Sequence, residues 1–251
     1  MTEPATAQTA VVTGGAAGFG AAVSRALHEA GYRVVIADLN LDAAGRLARE
    51  LDASGRTAAG VPLDVRLPER FQAVLDGAVE RFGSVEVLVN NAAVTQASPA
   101  LELDVADFNA VMAVNAGGVF AGNQIFGRYF KQRGYGRIVN LSSLAGQNGG
   151  TSTGAHYAAS KGAILTLTKV FARELAPFGV TVNAIAPGPM DTPLVHELVP
   201  ESRMPALLAN VPVGRLGDPR FVSSMVVLLA SPAAAFVCGA CWDVNGGLFM
   251  R

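Results

Sequence analysis

A phenol and an ammonium stand four residues apart in the stretch Tyr157-Ala158-Ala159-Ser160-Lys161. On a helix, positions i and i+4 share a face, so the two side chains emerge side by side. A fixed cation favours the phenolate and lowers a tyrosine pKa that is normally near ~10, which makes Tyr157 a candidate acid/base. Ser143, at a predicted strand end fourteen residues before Tyr157, adds a hydroxyl able to hydrogen-bond a developing negative charge. An isolated Tyr-x-x-x-Lys pair is more often a surface or packing pair, so the reading depends on what the other elements supply.

Those elements are runs rich in β-formers alternating with longer amphipathic stretches, the pattern of βαβ units around a parallel sheet. The runs are Thr9–Thr13, Arg33–Ala37, Thr57–Pro62, Val85–Val89, Gly136–Leu141, Val180–Ala184 and one near Cys241–Val244, with helical patterns such as Ala21–Ala30 and Leu41–Ala53 between them. Runs as continuously apolar as Val34-Val35-Ile36 predict strands covered on both faces. The expectation is a Rossmann-like doubly wound α/β sheet of seven strands in one domain, residues 1–251.

The first strand runs into Thr13-Gly14-Gly15-Ala16-Ala17-Gly18-Phe19-Gly20, a G-x-x-x-G-x-G turn before a helix. Glycines there let backbone N–H groups approach a pyrophosphate at a helix N-terminus, although such turns also use glycine for positive φ alone. Asp38 closes the second strand, where a carboxylate accepts from the adenosine ribose hydroxyls and repels a 2′-phosphate. Leu39 and Asn40 follow it without a basic residue, so NAD is expected rather than NADP; the competing role for Asp38 is an N-cap. Asp64 and Asn90-Asn91-Ala92-Ala93 sit at later strand ends, where open α/β sheets bind ligands. The 105–126 pattern reads as one helix, yet it carries Gly117, Gly118 and Gly122 beside Asn115. Glycines inside a helix predict close backbone packing or a kink, with a freed carbonyl or a water for Asn115 to hold.

Composition narrows the function. Of 251 residues, 51% are hydrophobic and 16% charged, which argues against disorder and for apolar surface hidden in an oligomer. A formal net charge of −1 offers no basic field for nucleic acid or an anionic membrane. No apolar run reaches the length of a membrane span, and the N-terminus lacks a signal-type hydrophobic region, so a cytoplasmic protein is expected. Cys238 and Cys241 form a C-x-x-C pair without a second Cys/His pair, which points to core or interface thiols and to no metal site.

Taken in order, TGGAAGFG at 13–20, Asp38, Asp64, NNAA at 90–93, Asn115, NLSS at 140–143, YAASK at 157–161 and PGPMDTP at 187–193 resemble the short-chain dehydrogenase/reductase family. The resemblance covers nearly the whole chain and implies Asn115, Ser143, Tyr157 and Lys161 as the catalytic set. The family's spacing to Gly146 selects Ser143 over Ser142. It further implies cofactor contacts at Gly14, Gly18, Phe19, Gly20, Asp38, Asp64, Val65, Asn91, Ala92, Tyr157, Lys161, Pro187, Gly188 and Thr192. Substrate contacts are expected at Ser143, Ala145, Gln147, Tyr157 and Met190, under a lid at 189–212 that includes Leu194, His196 and Leu198. His196 reads as a solvated lid residue, and no chemistry falls to His156. Phe19 replaces the Ile or Leu common in the family, and the gap between Ser143 and Tyr157 is one residue longer than in many members, altering the loop Gln147–Gly150. The implied activity is NAD-dependent interconversion of a secondary alcohol and a ketone in a homotetramer. A 3-oxoacyl-thioester reductase, a sugar or polyol dehydrogenase, and a silent dinucleotide-binding regulator are the alternatives. The tail, with Trp242, Phe249 and Met250, resembles an oligomer contact.

Overall fold

Residues 7–150, 153–192, 195–196 and 199–250 are described in the structure, a computed structural model. The strands are β1 (Thr9–Thr13), β2 (Arg33–Asp38), β3 (Ala58–Pro62), β4 (Val87–Asn90), β5 (Gly136–Leu141), β6 (Val180–Pro187) and β7 (Cys241–Val244). All pair in parallel, in one sheet ordered β3-β2-β1-β4-β5-β6-β7. Parallel neighbours need crossover connections, supplied by α1 (Gly18–Glu29), α2 (Leu41–Leu51), α3 (Pro68–Phe82), α4 (Val105–Met112), α5 (Gly118–Arg133), α6 (Ala145–Asn148), α7 (Ala155–Leu175), α8 (Met204–Asn210) and α9 (Pro219–Ala230).

Alternation along each strand divides the core into two layers. Val11 joins Phe71, Phe126, Phe130 and Leu175 from α3, α5 and α7. Its neighbours Ala10 and Val12 face Val23, Leu27, Leu47, Val226 and Leu229 from α1, α2 and α9. Both faces are buried, so the strands could be apolar throughout, as their composition requires. The expected doubly wound sheet is therefore what the chain forms.

Strand order reverses between β1 and β4, and this is where the register collects the polar residues. Ala37, Thr13, Asn90 and Asn140 lie side by side across four adjacent strands. Below that edge a buried polar column ties strands to helices. Asn90 Nδ2 donates to Asn123 Oδ1 (2.9 Å) and Asn140 Oδ1 (2.8 Å), and Asn140 Nδ2 donates to Thr168 Oγ1 (3.0 Å).

The single helix expected over 105–126 is instead α4 and α5 joined by a π turn at Ala113–Gly117. The extra residue interrupts the ordinary i→i−4 ladder beside Asn115, which is the local kink the glycines imply. Close packing is also present: a Cβ on Gly118 would stand 2.9 Å from Val65 Cβ, and one on Gly122 would stand 2.6 Å from Asn90 Oδ1. The run Val105–Arg133 is, by length and composition alone, apolar enough to cross a membrane, a test that a core helix also passes. Here it packs against the sheet, α3 and α7. Trp242 is only partly exposed and packs on the α1/α9 layer, whereas Met250 is exposed. Cys238 is exposed and Cys241 half-buried, so of the expected core or interface positions neither is in the core. Among the described residues no three His, Cys, Asp or Glu side chains are grouped to hold a metal.

Gly122→Ala should destabilise the protein by about 1–3 kcal/mol, because the added methyl meets an asparagine already locked in the polar column. Gly77→Ala, at an exposed position of α3 with nothing near the new methyl, should stabilise it by about 0.5–1 kcal/mol. Urea midpoints of the two variants against the parent decide both.

Candidate active site

The glycine turn is shaped by contacts that exclude side chains. A Cβ on Gly20 would overlap the Gly14 carbonyl, and one on Gly14 (φ +60°) would stand 2.8 Å from Ala92 Cα. Gly18 (φ +51°) has open space where its side chain would be. Asn91 braces the turn from beside it, donating through Nδ2 to the carbonyls of Thr13 (3.1 Å) and Gly14 (3.0 Å). Thr13 Oγ1 accepts the N–H groups of Asn91 (3.0 Å) and Ala92 (3.1 Å). The turn then opens into α1, whose N-terminus has no side-chain cap and no acidic residue in its first turn. Its unpaired N–H groups beside open space fit a pyrophosphate.

Asp38 completes that half of the site. Its Oδ2 accepts the Ala16 N–H (3.0 Å) and its Oδ1 the Asn40 N–H (2.9 Å), so the carboxylate is aimed at the turn. The N-cap role falls to Asn40, whose Oδ1 accepts from Ala43 N. Asp64 is engaged differently from expectation. Arg66 grips its carboxylate through Nε and Nη2 (2.6 Å), and these bonds hold it down at about 2. Val65 is buried against Gly118, leaving its backbone rather than its side chain for a ligand. Phe19 lies against the α1/α9 core layer.

The second half assembles where β5 ends. Ser143 stands against the Tyr157 phenol closely enough to lower its pKa, and Lys161, one turn further along α7, places its Nζ 5.6 Å from the Tyr157 ring centre. Lys161 is buried; its Nζ donates to the Leu141 carbonyl (2.7 Å), and burial lowers its pKa to about 8. Tyr157 keeps part of its surface open, yet loss of solvent raises its pKa above the usual 10.0, with Ser143 pulling the other way. The lowering expected beside Lys161 is thus not what the protein shows, because burial outweighs the opposing influence of Ser143. Ser142 is directed elsewhere: its hydroxyl donates to the Lys161 carbonyl (2.8 Å).

Asn115 is buried and its amide is fully used. Oδ1 accepts from Val94 N (2.8 Å), while Nδ2 donates to Val94 O (2.9 Å) and Ser160 Oγ (3.0 Å). Ser160 Oγ in turn donates to the Tyr157 carbonyl (2.7 Å). The side chain therefore braces the loop after β4 and the first turns of α7.

Two substrate-side expectations are also corrected. Met190 is 2% exposed and packs in the core against Gly217, so it does not face a pocket. Gln147 Nε2 donates to Asp243 on β7 (2.6 Å), away from Ser143. Ala145 is buried beneath Gly150. His156 is buried with Nδ1 accepting from Tyr157 N, and His196 pairs with Asp191 (2.7 Å) in an exposed position. Pro187 and Gly188 continue β6: the Pro187 carbonyl accepts from Leu144 N and Gly188 N donates to Val244 O. Thr192 caps the following turn through Val195 N. Pro193, Leu194 and Leu198 lie outside the described residues.

Residues that the spacing did not single out are Thr13, Ser142 and Ser160. Thr13 and Ser142 act on backbone groups of distant elements, Ser160 links the Asn115 amide to the Tyr157 carbonyl of its own helix, and only the Ser/Thr identity at strand ends and inside YAASK hinted at them.

A glycine turn, a carboxylate aimed at that turn and a serine–tyrosine–lysine set along one edge of a doubly wound sheet define a dinucleotide-binding oxidoreductase. A family profile described as Enoyl-(Acyl carrier protein) reductase matches residues 14–249. The chain is 37% identical over 243 residues to a 3-oxoacyl-[acyl-carrier-protein] reductase of Vibrio cholerae, covering 97% of this chain and 98% of that one. It is 40% identical to 4-formylbenzenesulfonate dehydrogenase of Comamonas testosteroni, over 96% and 97% of the two chains. It is also 40% identical to cis-4-hydroxycyclohexanecarboxylate dehydrogenase of Sinomonas cyclohexanicum, over 98% of each. A crystal structure provisionally described as a gluconate dehydrogenase from Agrobacterium tumefaciens superimposes with a TM-score of 0.90 at 31% identity, over 96% of this chain and 95% of that one. The chain belongs to the short-chain dehydrogenase/reductase family, whose members are oxidoreductases that bind NAD or NADP.

The buried lysine makes stability depend on pH. Its pKa is near 8 when folded against 10.5 for an exposed lysine, so between those values the unfolded chain binds more protons and stability rises with pH. The unfolding free energy of the parent minus that of Lys161→Met should climb from pH 8 to 10.5. A difference constant with pH would contradict this.

Proposed function

We propose that this protein is an NAD-dependent dehydrogenase interconverting a secondary alcohol and a ketone, with Tyr157 as the general acid/base. The observation that carries the reading is the placing of Ser143 against the Tyr157 phenol, with Lys161 one turn beyond it, beside the glycine turn. The three curated relatives share carbonyl or alcohol chemistry by name while differing in the rest of their substrates.

The bound dinucleotide supplies the hydride acceptor or donor at its nicotinamide. Gly14, Gly18, Gly20 and the N-terminus of α1 would hold its pyrophosphate, Asp38 its adenosine ribose, and Lys161 its other ribose. Tyr157 removes the hydroxyl proton of an alcohol, or returns it to the ketone oxygen in reduction. Ser143 donates to that same oxygen and stabilises charge developing on it. Lys161, as a cation near Tyr157, favours the phenolate and opposes the desolvation that raises its pKa. Asn115 keeps Tyr157 in place through Ser160 rather than by touching the reacting atoms.

Preference for NAD rests on Asp38 and on its surroundings. Residues 39–42 are Leu, Asn, Leu and Asp, with no base to neutralise a 2′-phosphate. A 3-oxoacyl-thioester reductase is the second reading, favoured by the Vibrio relative; the likeness to the Agrobacterium structure makes a sugar acid a third candidate substrate. A silent dinucleotide sensor would not require the serine–tyrosine–lysine geometry. We assign the protein to the cytoplasm and to a homotetramer of one-domain chains with a lid over 189–212. Exposed Phe120, Val170, Phe221 and Phe236 support apolar subunit contacts.

Absorbance of NADH should rise or fall when the protein is mixed with one of a panel containing cis-4-hydroxycyclohexanecarboxylate, gluconate, an acetoacetyl thioester and simple secondary alcohols. Tyr157→Phe should lower kcat on that substrate by about 10²–10⁴-fold while NAD affinity holds. Parent-like turnover in the variant would exclude Tyr157 as the acid/base. Separately, Asp38→Ala should shift the ratio of kcat/KM values for NAD and NADP toward NADP, and a parent that already prefers NADP would contradict the cofactor assignment.

A further inference from the structure

The adjacent serines Ser142 and Ser143 are turned to different tasks. Ser143 meets Tyr157, whereas Ser142 is 4% exposed and reaches across to α7, where its hydroxyl donates to the Lys161 carbonyl at 2.8 Å. That carbonyl already serves the i→i−4 ladder of α7, so the serine bond is additional to the helix. It is answered in the opposite direction: Lys161 Nζ donates to the carbonyl of Leu141, the residue before Ser142, at 2.7 Å. Two buried hydrogen bonds thus join residues 141–142 to one residue of α7, one through its backbone and one through its side chain.

The surrounding backbone leaves this clamp little freedom. Ser142 N donates to Ile185 O and Leu144 N to Pro187 O, fixing the end of β5 to β6. On the other side, α6 lies directly on α7: a Cβ on Gly146 would stand 2.5 Å from the Lys161 carbonyl carbon and 2.6 Å from Gly162 N. Nothing bulkier than glycine fits, so the two helices meet backbone to backbone. Contact of that kind excludes approach but does not by itself choose a position along the helix. A directional bond to a single carbonyl does.

We infer that Ser142 is a positioning residue for the reaction: its bond to the Lys161 carbonyl sets the register of α7 against β5, and thereby the meeting of Ser143 with Tyr157 and the seat of the Lys161 ammonium. The inference rests on the proposed roles of those three residues. Ser142 touches neither the phenol nor the ammonium, and it acts through the backbone that carries them. Without the hydroxyl, α7 keeps its fold and its glycine contact but is free to shift along the strand end. Tyr157 then sits less well against Ser143, and Lys161 less well against Tyr157. Displacements of this size at reacting groups cost rate far more than they cost binding.

The test uses Ser142→Ala, Ser142→Thr, Ser143→Ala and Thr168→Val. Thr168 is a control on the same helix, since its hydroxyl also links α7 to β5, through Asn140, but two turns beyond Lys161. Turnover is read on the best substrate of the panel above. The phenolate transition of Tyr157 is read by tyrosinate absorbance in NAD-saturated protein, after subtracting the Tyr157→Phe protein. Ser142→Ala is expected to lower kcat about tenfold with KM for NAD changed by less than about twofold. Its Tyr157 transition should move to higher pH, because Ser143 no longer sits where it best supports the phenolate. Ser142→Thr, which keeps the hydroxyl, should recover both, and Thr168→Val should alter neither although it lowers the unfolding midpoint.

An unmoved transition in Ser142→Ala overturns the inference, with or without turnover to measure. An equal loss in Thr168→Val also overturns it, since the effect would then be general loosening of α7. If Ser143→Ala abolishes turnover while Ser142→Ala does not, the inference fails and the functional reading stands. If Ser143→Ala turns over like the parent, the functional reading fails, and the Tyr157 transition still decides whether Ser142 positions α7.

Discussion

The structure depends most on the docking of α7 across the C-terminal end of β5. Everything proposed to handle a proton rides on that helix or on that strand end, and the two meet through backbone atoms at Gly146, Lys161 and Gly162. Side chains at such a junction would act as spacers and let small changes in packing move the site. Direct backbone contact removes the spacers, and buried hydrogen bonds then choose the position. The Ser142–Lys161 and Lys161–Leu141 bonds lie at this junction, and the Asn140–Thr168 bond repeats the link deeper in the core.

A comparable solution holds the cofactor half. The glycine turn has no side chains of its own with which to keep its shape, so neighbouring elements brace it. Asn91 and Thr13 engage its carbonyls and the following N–H groups, and Asp38 reaches over from β2 to the Ala16 N–H. The register of the parallel strands makes this possible, since Ala37, Thr13 and Asn90 are direct neighbours across the sheet. Order reversal between β1 and β4 opens the crevice above them.

Lys161 and Tyr157 show how burial and charge compete within one site. Burial lowers the lysine and raises the tyrosine, so in the ligand-free protein each is biased toward its neutral form. Neutral forms are the cheaper ones to keep away from water. An acid/base that must hand over a proton needs that balance moved toward the phenolate, and a second positive charge arriving beside the phenol would move it.

The fold was legible from residue order because periodicity and strand-end punctuation report local preferences, and the same holds for TGGAAGFG, Asp38 and YAASK. A glycine that must admit a close carbonyl, as Gly20 does, leaves its mark as an amino-acid type. What a polar side chain bonds to is a different matter, because its partner lies far along the chain and is brought near only by sheet order and helix packing. So Asn115 proved to brace Val94 and Ser160, Gln147 to reach Asp243, Met190 to fill the core, and Ser142 to hold Lys161. The sequence by itself determined the alternation of strands and helices and the kinds of atom available at each strand end. Tertiary structure alone decided which of those atoms face one another, since hydrogen bonds are directional and short while the segments that supply them are tens of residues apart.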